Sequence, residues 1–172
     1  MNALNSTTIN LDYFSNHDIQ LVTERFFKAN HKQANKIVLD AIVSKKKNNK
    51  VTPCSQPIYL LTLLQRINNL NREDFDAINK RKKLGEGSIE AINNHLVDLV
   101  DKSPLTLNEM LDNLLDDIKS KIGNQLCDIF TCSIALSSRG MTDAFLEKIC
   151  KSFGVKYSVA DFSYYRKLMG FN

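Results

Sequence analysis

The chain has 172 residues, of which 43% are apolar and 24% charged, and its formal net charge is +4. An apolar share of this size excludes an intrinsically disordered chain, because it is enough to build a core. Gly and Pro number only 6 and 3, which disfavours all-β sandwiches and barrels with their many tight turns. The composition therefore favours long helices joined by short connections.

Helical patterns follow one another after residues 1–14, which are expected to form a flexible lead-in. Apolar residues three and four positions apart predict helices over about residues 15–30 and 32–44. A third helix, with Ser55 as its cap and Pro57 in its first turn, is apolar nearly all round. We expect this third helix to be buried centrally.

Two runs of basic residues lie at positions 45–50 and 80–83. Each run has an electrostatic interpretation as a patch for nucleic acid or for an acidic membrane. Neither is interleaved with aromatic residues, as the patches of single-strand binders usually are. We therefore expect both runs to be solvated, and the lysine side chains of the first run to need no partner other than water.

The rest of the chain also has helical periodicity, and no sustained alternation of apolar and polar residues predicts a strand. Thr106 and Glu109 form a capping-box pattern. The sequence therefore predicts an all-α fold of about nine helices in two packed bundles, at residues 15–101 and 102–172. The later helices are predicted over about residues 72–83, 88–101, 106–123, 124–137, 142–154 and 158–169, with Phe145, Leu146, Ile149 and Phe153 as the apolar positions of the eighth.

No catalytic constellation is evident in the sequence, so we do not expect this chain to be an enzyme on its own. It has no phosphate-binding loop of the G-x-x-x-x-G-K-[ST] type. Its three His and four Cys residues have no metal-ligand spacing, so no metal site is predicted. The acidic cluster at residues 112–117 is expected on a solvated helix face, and Cys127 and Cys132 are expected to act as small hydrophobic residues.

The N-terminus lacks a signal-peptide pattern. No apolar stretch approaches the roughly 18–20 residues that cross a bilayer. We therefore expect a reducing, cytoplasmic location and no membrane partner.

Residues 124–169 have the order of a three-helix unit of the helix-turn-helix type. In that interpretation the last helix is a recognition helix, and Tyr164, Arg166 and Lys167 face outward toward DNA or RNA. The simpler interpretation is a core helix, a Gly-containing turn and a capped second helix. Only two cations and one Tyr project from the last helix, so the simpler interpretation is favoured.

Three segments together resemble a known family. They are the QPIYLL segment at 56–61, the LNEMLDNLL segment at 107–115 and the ALSSRGMTDAFL segment at 135–146. Their order is similar to the region after the nucleotide-binding core of NACHT-type STAND NTPases, in the group that bears WD repeats. The resemblance implies a helical lid followed by the start of a winged-helix domain, which is truncated here. It also implies that Pro57 lies against the base of a bound nucleotide.

The phosphate loop and the Walker B strand of that family are absent from this sequence. The resemblance therefore implies ADP or ATP only in the context of a larger parent chain, where the lid and the winged helix would close over ADP and their release would permit oligomerisation. We expect a non-catalytic regulatory or interaction module, whose partners are proteins or the rest of a parent chain. The alternatives are a small helix-turn-helix DNA- or RNA-binding protein and a helical adaptor or scaffold.

Overall fold

The computed structural model describes residues 13–33, 35–45, 52–70, 72–82, 85–137 and 140–170. Within these ranges the chain forms nine α-helices, one short 3₁₀ turn and no β-strand, which confirms the predicted all-α fold. The helices are α1 (Asn16–Ala29), α2 (Lys36–Ser44), α3 (Pro57–Asn68), α4 (Arg72–Arg81), α5 (Ser88–Lys102), α6 (Leu107–Ile122), α7 (Asn124–Leu136), α8 (Asp143–Ser152) and α9 (Val159–Met169).

Hydroxyl side chains fix the starts of four helices. Ser15 forms a complete capping box with Asp18 at the start of α1. The hydroxyl oxygens of Thr106, Thr142 and Ser158 each accept a hydrogen bond from the backbone N–H three residues later. These caps satisfy N–H groups that have no partner inside the helix, which is why the predicted starts of α6, α8 and α9 are confirmed.

Two predicted starts were wrong. Helix α2 begins at Lys36 and not at Lys32, because the Asn35 side chain caps it by accepting from the N–H of Ile37. Helix α3 begins at Pro57, while Ser55 belongs to the preceding 3₁₀ turn and donates its hydroxyl to the Thr52 carbonyl. Proline suits the first helical position, since its missing N–H would have no partner there.

A first cluster of buried residues is centred on α3. Tyr59, Leu60, Leu63 and Leu64 are fully buried among apolar side chains of α1, α2 and α5. The cluster also reaches Phe14, which the sequence assigned to the lead-in. Residues 1–12 of that lead-in lie outside the described ranges.

Helix α3 is not buried all round. Ile58 and Leu61 lie on its exposed side, which corrects the expectation drawn from its composition. The helix therefore has one buried face and one solvated face, as an amphipathic surface helix does.

Lys45 corrects the expectation that the first basic run is solvated. Its side chain is buried, and its ammonium donates to the carbonyls of Val100, Asp101 and Ser103 at 2.5, 3.2 and 2.8 Å. These carbonyls lie at the C-terminal end of α5, where the last turn has no internal donors and a cation is favourable. Burial lowers the pKa of Lys45. Residues 46–50 lie outside the described ranges.

A second cluster lies among α6, α7, α8 and α9, with Phe130 at its centre. The Phe130 ring makes edge-on contacts with Phe162, Tyr165 and Tyr157, at centroid distances of 5.1, 5.6 and 6.3 Å. The Tyr165 hydroxyl also lies 3.0 Å from the Thr131 hydroxyl. Edge-on aromatic packing of this kind adds to the stability gained from burial alone.

Helix α6 belongs to both clusters. Met110, in its first turn, packs into the first cluster, while Leu114 and Ile118 pack into the second. An ion pair between Arg66 of α3 and Asp117 of α6, with an N–O distance of 3.2 Å, joins the same two regions. The border between the two cores therefore falls inside α6.

The substitution Phe130→Ala tests the centre of the second cluster. We expect it to lower the free energy of unfolding by about 3–5 kcal/mol, because it deletes a buried ring and leaves a cavity. Phe153→Ala is the matched control, since Phe153 is 62% exposed, and it should change the free energy by no more than about 0.5 kcal/mol. Urea denaturation followed by circular dichroism measures both. Equal losses for the two variants would contradict the assignment of Phe130 to the core.

Candidate functional site

An apolar groove of about 820 Å³ lies between α7 and α8. The two helices pack against each other and are joined by residues 137–142. Most of the residues that line the groove are apolar, and several are large and exposed. The lining residues are Gln125, Asp128, Ile129, Cys132, Ser133, Leu136, Ser137, Gly140, Met141, Thr142, Phe145, Ile149 and Phe153.

Helix α7 contributes one of its faces to the core and another to the groove. Leu126 and Phe130 are buried in the second cluster. Cys132 and Leu136 line the groove, together with Ile129, which is buried and also belongs to the second cluster. Leu136 is 87% exposed, at the end of the helix. The wide apolar run of α7 therefore supplies side chains both to the core and to the groove.

Helix α8 is divided in the same way. Leu146 is fully buried, whereas Phe145 and Phe153 are 54% and 62% exposed and line the groove together with Ile149. The sequence pattern grouped these four residues as a single apolar stripe. Each residue advances about 100° around a helix, so Phe145 lies beside the buried row, Ile149 lies at its border and also packs against the second cluster, and Phe153 follows as the C-cap.

Several polar groups of the groove lie at its ends and its rim, while Ser133 is buried in the α7 wall. The Ser137 hydroxyl donates to the carbonyl of Gly140 in the connecting turn, and the Gln125 side chain donates to the carbonyl of Phe153 at 3.4 Å. At the rim, Asp128 pairs with Lys119 at 3.3 Å. The hydrogen bond to Asp128 raises the pKa of Lys119. Ser138 and Arg139, which belong to the ALSSRGMTDAFL segment of the family resemblance, lie outside the described residues.

Cys132 is the exposed thiol in the described part of the chain, and it lines the apolar groove. Cys54, Cys127 and Cys150 are buried, and none of the four forms a disulfide. Burial raises the pKa of the Cys54 thiol to about 11, and it also raises the pKa values of Cys127 and Cys150. The accessible thiol of Cys132 is therefore the site at which a thiol reagent would label the groove.

Pro57, the residue that the family resemblance places against a nucleotide, is the first residue of α3 and is half-buried. It does not line the α7–α8 groove. Its neighbours Tyr59 and Leu60 are fully buried, and the Tyr59 hydroxyl donates to the carbonyl of Pro104 at 2.5 Å. Tyr59 therefore anchors the segment before α6.

The three candidate nucleic-acid residues lie on α9. Arg166 and Lys167 are exposed, and the Arg166 guanidinium lies 5.9 Å from the centre of the Phe162 ring. Tyr164 is half-buried, and burial, followed by the charges of Asp117 and Asp74, raises its pKa. Carboxylates beside Tyr164 would repel a phosphate backbone, so α9 is a weaker candidate site than the groove.

A second groove, of about 690 Å³, lies between α4 and α5 and has a different chemistry. Its walls bear charged groups of both signs, among them Asp74, Arg81, Lys82, Glu86 and Asp98. Over the described ranges, no three His, Cys, Asp or Glu side chains are grouped to hold a metal ion. Nor does any helix within them have the length and apolar character to cross a membrane.

Comparison with known proteins found no matching family model, no matching curated protein and no matching solved structure. The resemblance to NACHT-type NTPases therefore rests on the quoted segments alone. The α7–α8 groove is defined by its geometry and not by a relative. The sequence pattern did not predict this groove, although the wide apolar run of α7 and the i, i+4, i+8 spacing of Phe145, Ile149 and Phe153 are signals of an apolar surface beyond the core.

Thiol modification tests the placement of the cysteines. In the native protein, Ellman's reagent should modify Cys132 rapidly and the other three thiols only as the chain unfolds, because burial and a raised pKa both slow the reaction. The Cys132→Ser variant should lose the rapid phase, and all four wild-type thiols should react in urea. A rapid phase that persists in Cys132→Ser would contradict this placement.

Proposed function

We propose that the chain is a non-catalytic protein-interaction module and that the α7–α8 groove is its binding surface. The observation that carries this proposal is the convergence of Leu136, Phe145 and Phe153 on one concave surface while all three remain largely exposed. Apolar residues scattered singly over a surface need no explanation, but a contiguous patch beside a groove is typical of an interaction site.

The size of the patch agrees with this proposal. Leu136, Phe145 and Phe153 are 87%, 54% and 62% exposed, so together they present on the order of a few hundred Å² of surface, backbone atoms included. The largest patch on a typical monomeric protein is of that order and is often functional. The four free cysteines support a reducing, cytoplasmic setting for this interaction.

The family resemblance suggests a more specific role within the same proposal. The chain would be the lid and the start of the winged helix of a NACHT-type signalling NTPase, and its groove would meet the rest of that parent chain or a partner protein. ADP or ATP would bind only in the parent, with the part-exposed ring of Pro57 against the base.

The surrounding gene tests the parent-chain role. A G-x-x-x-x-G-K-[ST] loop encoded within about 150–250 residues before Met1, the usual size of a domain, is the expected finding. A stop codon directly before an intact start codon would contradict the role in a larger NTPase. That result would leave the groove proposal standing, since the groove is formed by this chain alone.

Groove variants test the interaction role. Leu136→Glu and Phe145→Glu place a charge in the apolar patch without removing a core residue, so each should change stability by no more than about 0.5 kcal/mol. Both variants should lose the proteins that co-purify with the wild-type chain from its own cells, because a buried unpaired carboxylate opposes docking. Quantitative mass spectrometry of the purified complexes is the measurement.

Ile89→Glu is the matched control, because Ile89 is 75% exposed but lies on α5, away from the groove. Proteins retained by this control and lost with both groove variants identify the groove as the binding surface. If every co-purified protein survives both groove substitutions, the proposed function is wrong.

A further inference from the structure

We infer that the occupant of the α7–α8 groove is a single amphipathic α-helix of about three turns, with basic side chains along one flank of its apolar stripe and acidic side chains along the other. This inference rests on the proposed function, because it names the partner that the groove would bind. It follows from the shape of the groove, its size and the charges on its two rims.

The shape favours a helix. The walls are the sides of two packed helices, and the furrow between two helices accepts a third at the usual interaxial distance of about 8–10 Å. The α7 wall runs from Gln125 to Leu136, which spans roughly 17 Å at 1.5 Å per residue. A helix of about three turns matches that length. Binding of an amphipathic helix by its apolar face is a common mode of peptide recognition.

The size disfavours a second copy of the chain. A stable interface between two globular proteins involves about 20–30 residues on each side, whereas thirteen residues line this groove. A face of that extent is about half of what a stable dimer needs. A single helix sinks into the concave surface and needs no contact beyond the rims.

The most exposed charged side chains beside the two rims have opposite signs. At the α7 rim, Asp128 forms an ion pair with Lys119, and Asp128 is the more exposed partner, with 62% of its side chain accessible against 33% for Lys119. Lys148 is exposed on α8, three residues after Phe145 and on the side of the helix away from the buried Leu146. A bound helix would therefore place cations opposite Asp128 and carboxylates opposite Lys148. A helix bound in either direction can satisfy this pairing, provided that its basic flank faces Asp128 and its acidic flank faces Lys148.

Three designed peptides test the inference on the full 172-residue chain. All three are three-turn helices with the same leucine stripe, and they differ only in the charges of their two flanks. The first peptide has one basic and one acidic flank, the second has two basic flanks, and the third has two acidic flanks. A fourth peptide with scrambled order is the control. Fluorescence anisotropy of the labelled peptides measures the affinity. The mixed-flank peptide should bind about fivefold more tightly than the other two at low salt, and the preference should disappear at high salt.

Charge reversal on the protein sharpens the test. Lys148→Glu makes both rims acidic and should shift the preference to the peptide with two basic flanks. Asp128→Lys makes both rims basic and should shift it to the peptide with two acidic flanks. Phe145→Glu should abolish the binding of all three peptides, whereas Ile89→Glu should leave it unchanged.

Each contrary outcome has one meaning. Equal binding of the three helical peptides by the wild-type chain, unaffected by either rim variant, would overturn the charge pattern of the occupant. If no peptide binds better than the scrambled control, the helical occupant is overturned. In that case, wild-type self-association in sedimentation experiments that Phe145→Glu abolishes would leave the proposed function intact with a second copy as the occupant. No peptide binding and no Phe145-dependent association with any protein would overturn both proposals.

Discussion

The aromatic packing around Phe130 is the constraint on which the groove depends. The Phe130 ring is held edge-on by Phe162 and Tyr165 of α9, so one side of α7 is committed to the core. Leu146 of α8 enters the same cluster and fixes the rotation of α8 about its axis. Once that rotation is set, helical geometry turns Phe145 away from the core and toward α7. The groove is thus a consequence of how the second cluster packs.

The second cluster in turn depends on the first through the segment that precedes α6. Lys45 donates to carbonyls at the end of α5, and the Tyr59 hydroxyl donates to the carbonyl of Pro104. A buried ammonium is costly unless it is hydrogen-bonded, so these contacts hold Lys45 and the segment together. The fixed segment sets the position in space of the N-terminal end of α6, and α6 extends from the first cluster into the second. Residues far from the groove therefore determine the position of its walls.

Local chemistry explains what could be predicted from the sequence. The caps at Thr106, Thr142 and Ser158 act within three residues, so the starts of α6, α8 and α9 were predictable. The burial of Lys45 was not predictable, because its hydrogen-bond partners lie more than fifty residues away in the sequence. The exposure of Phe145 was not predictable either. Periodicity shows that a helix has an apolar face, but it does not show how much of that face is covered by neighbouring helices. The candidate site was missed for that reason.

The energetics of the patch set the kind of interaction that the groove supports. The exposed apolar surface of the groove is small, so its burial gives a limited driving force. Association costs translational and rotational freedom, and ordering a flexible partner adds a further cost. The proposed groove would therefore bind a helix that is already formed more tightly than a segment that folds on binding. Under the proposed function, a surface of this size would act as a reversible contact whose occupancy follows the folding and the local concentration of its partner.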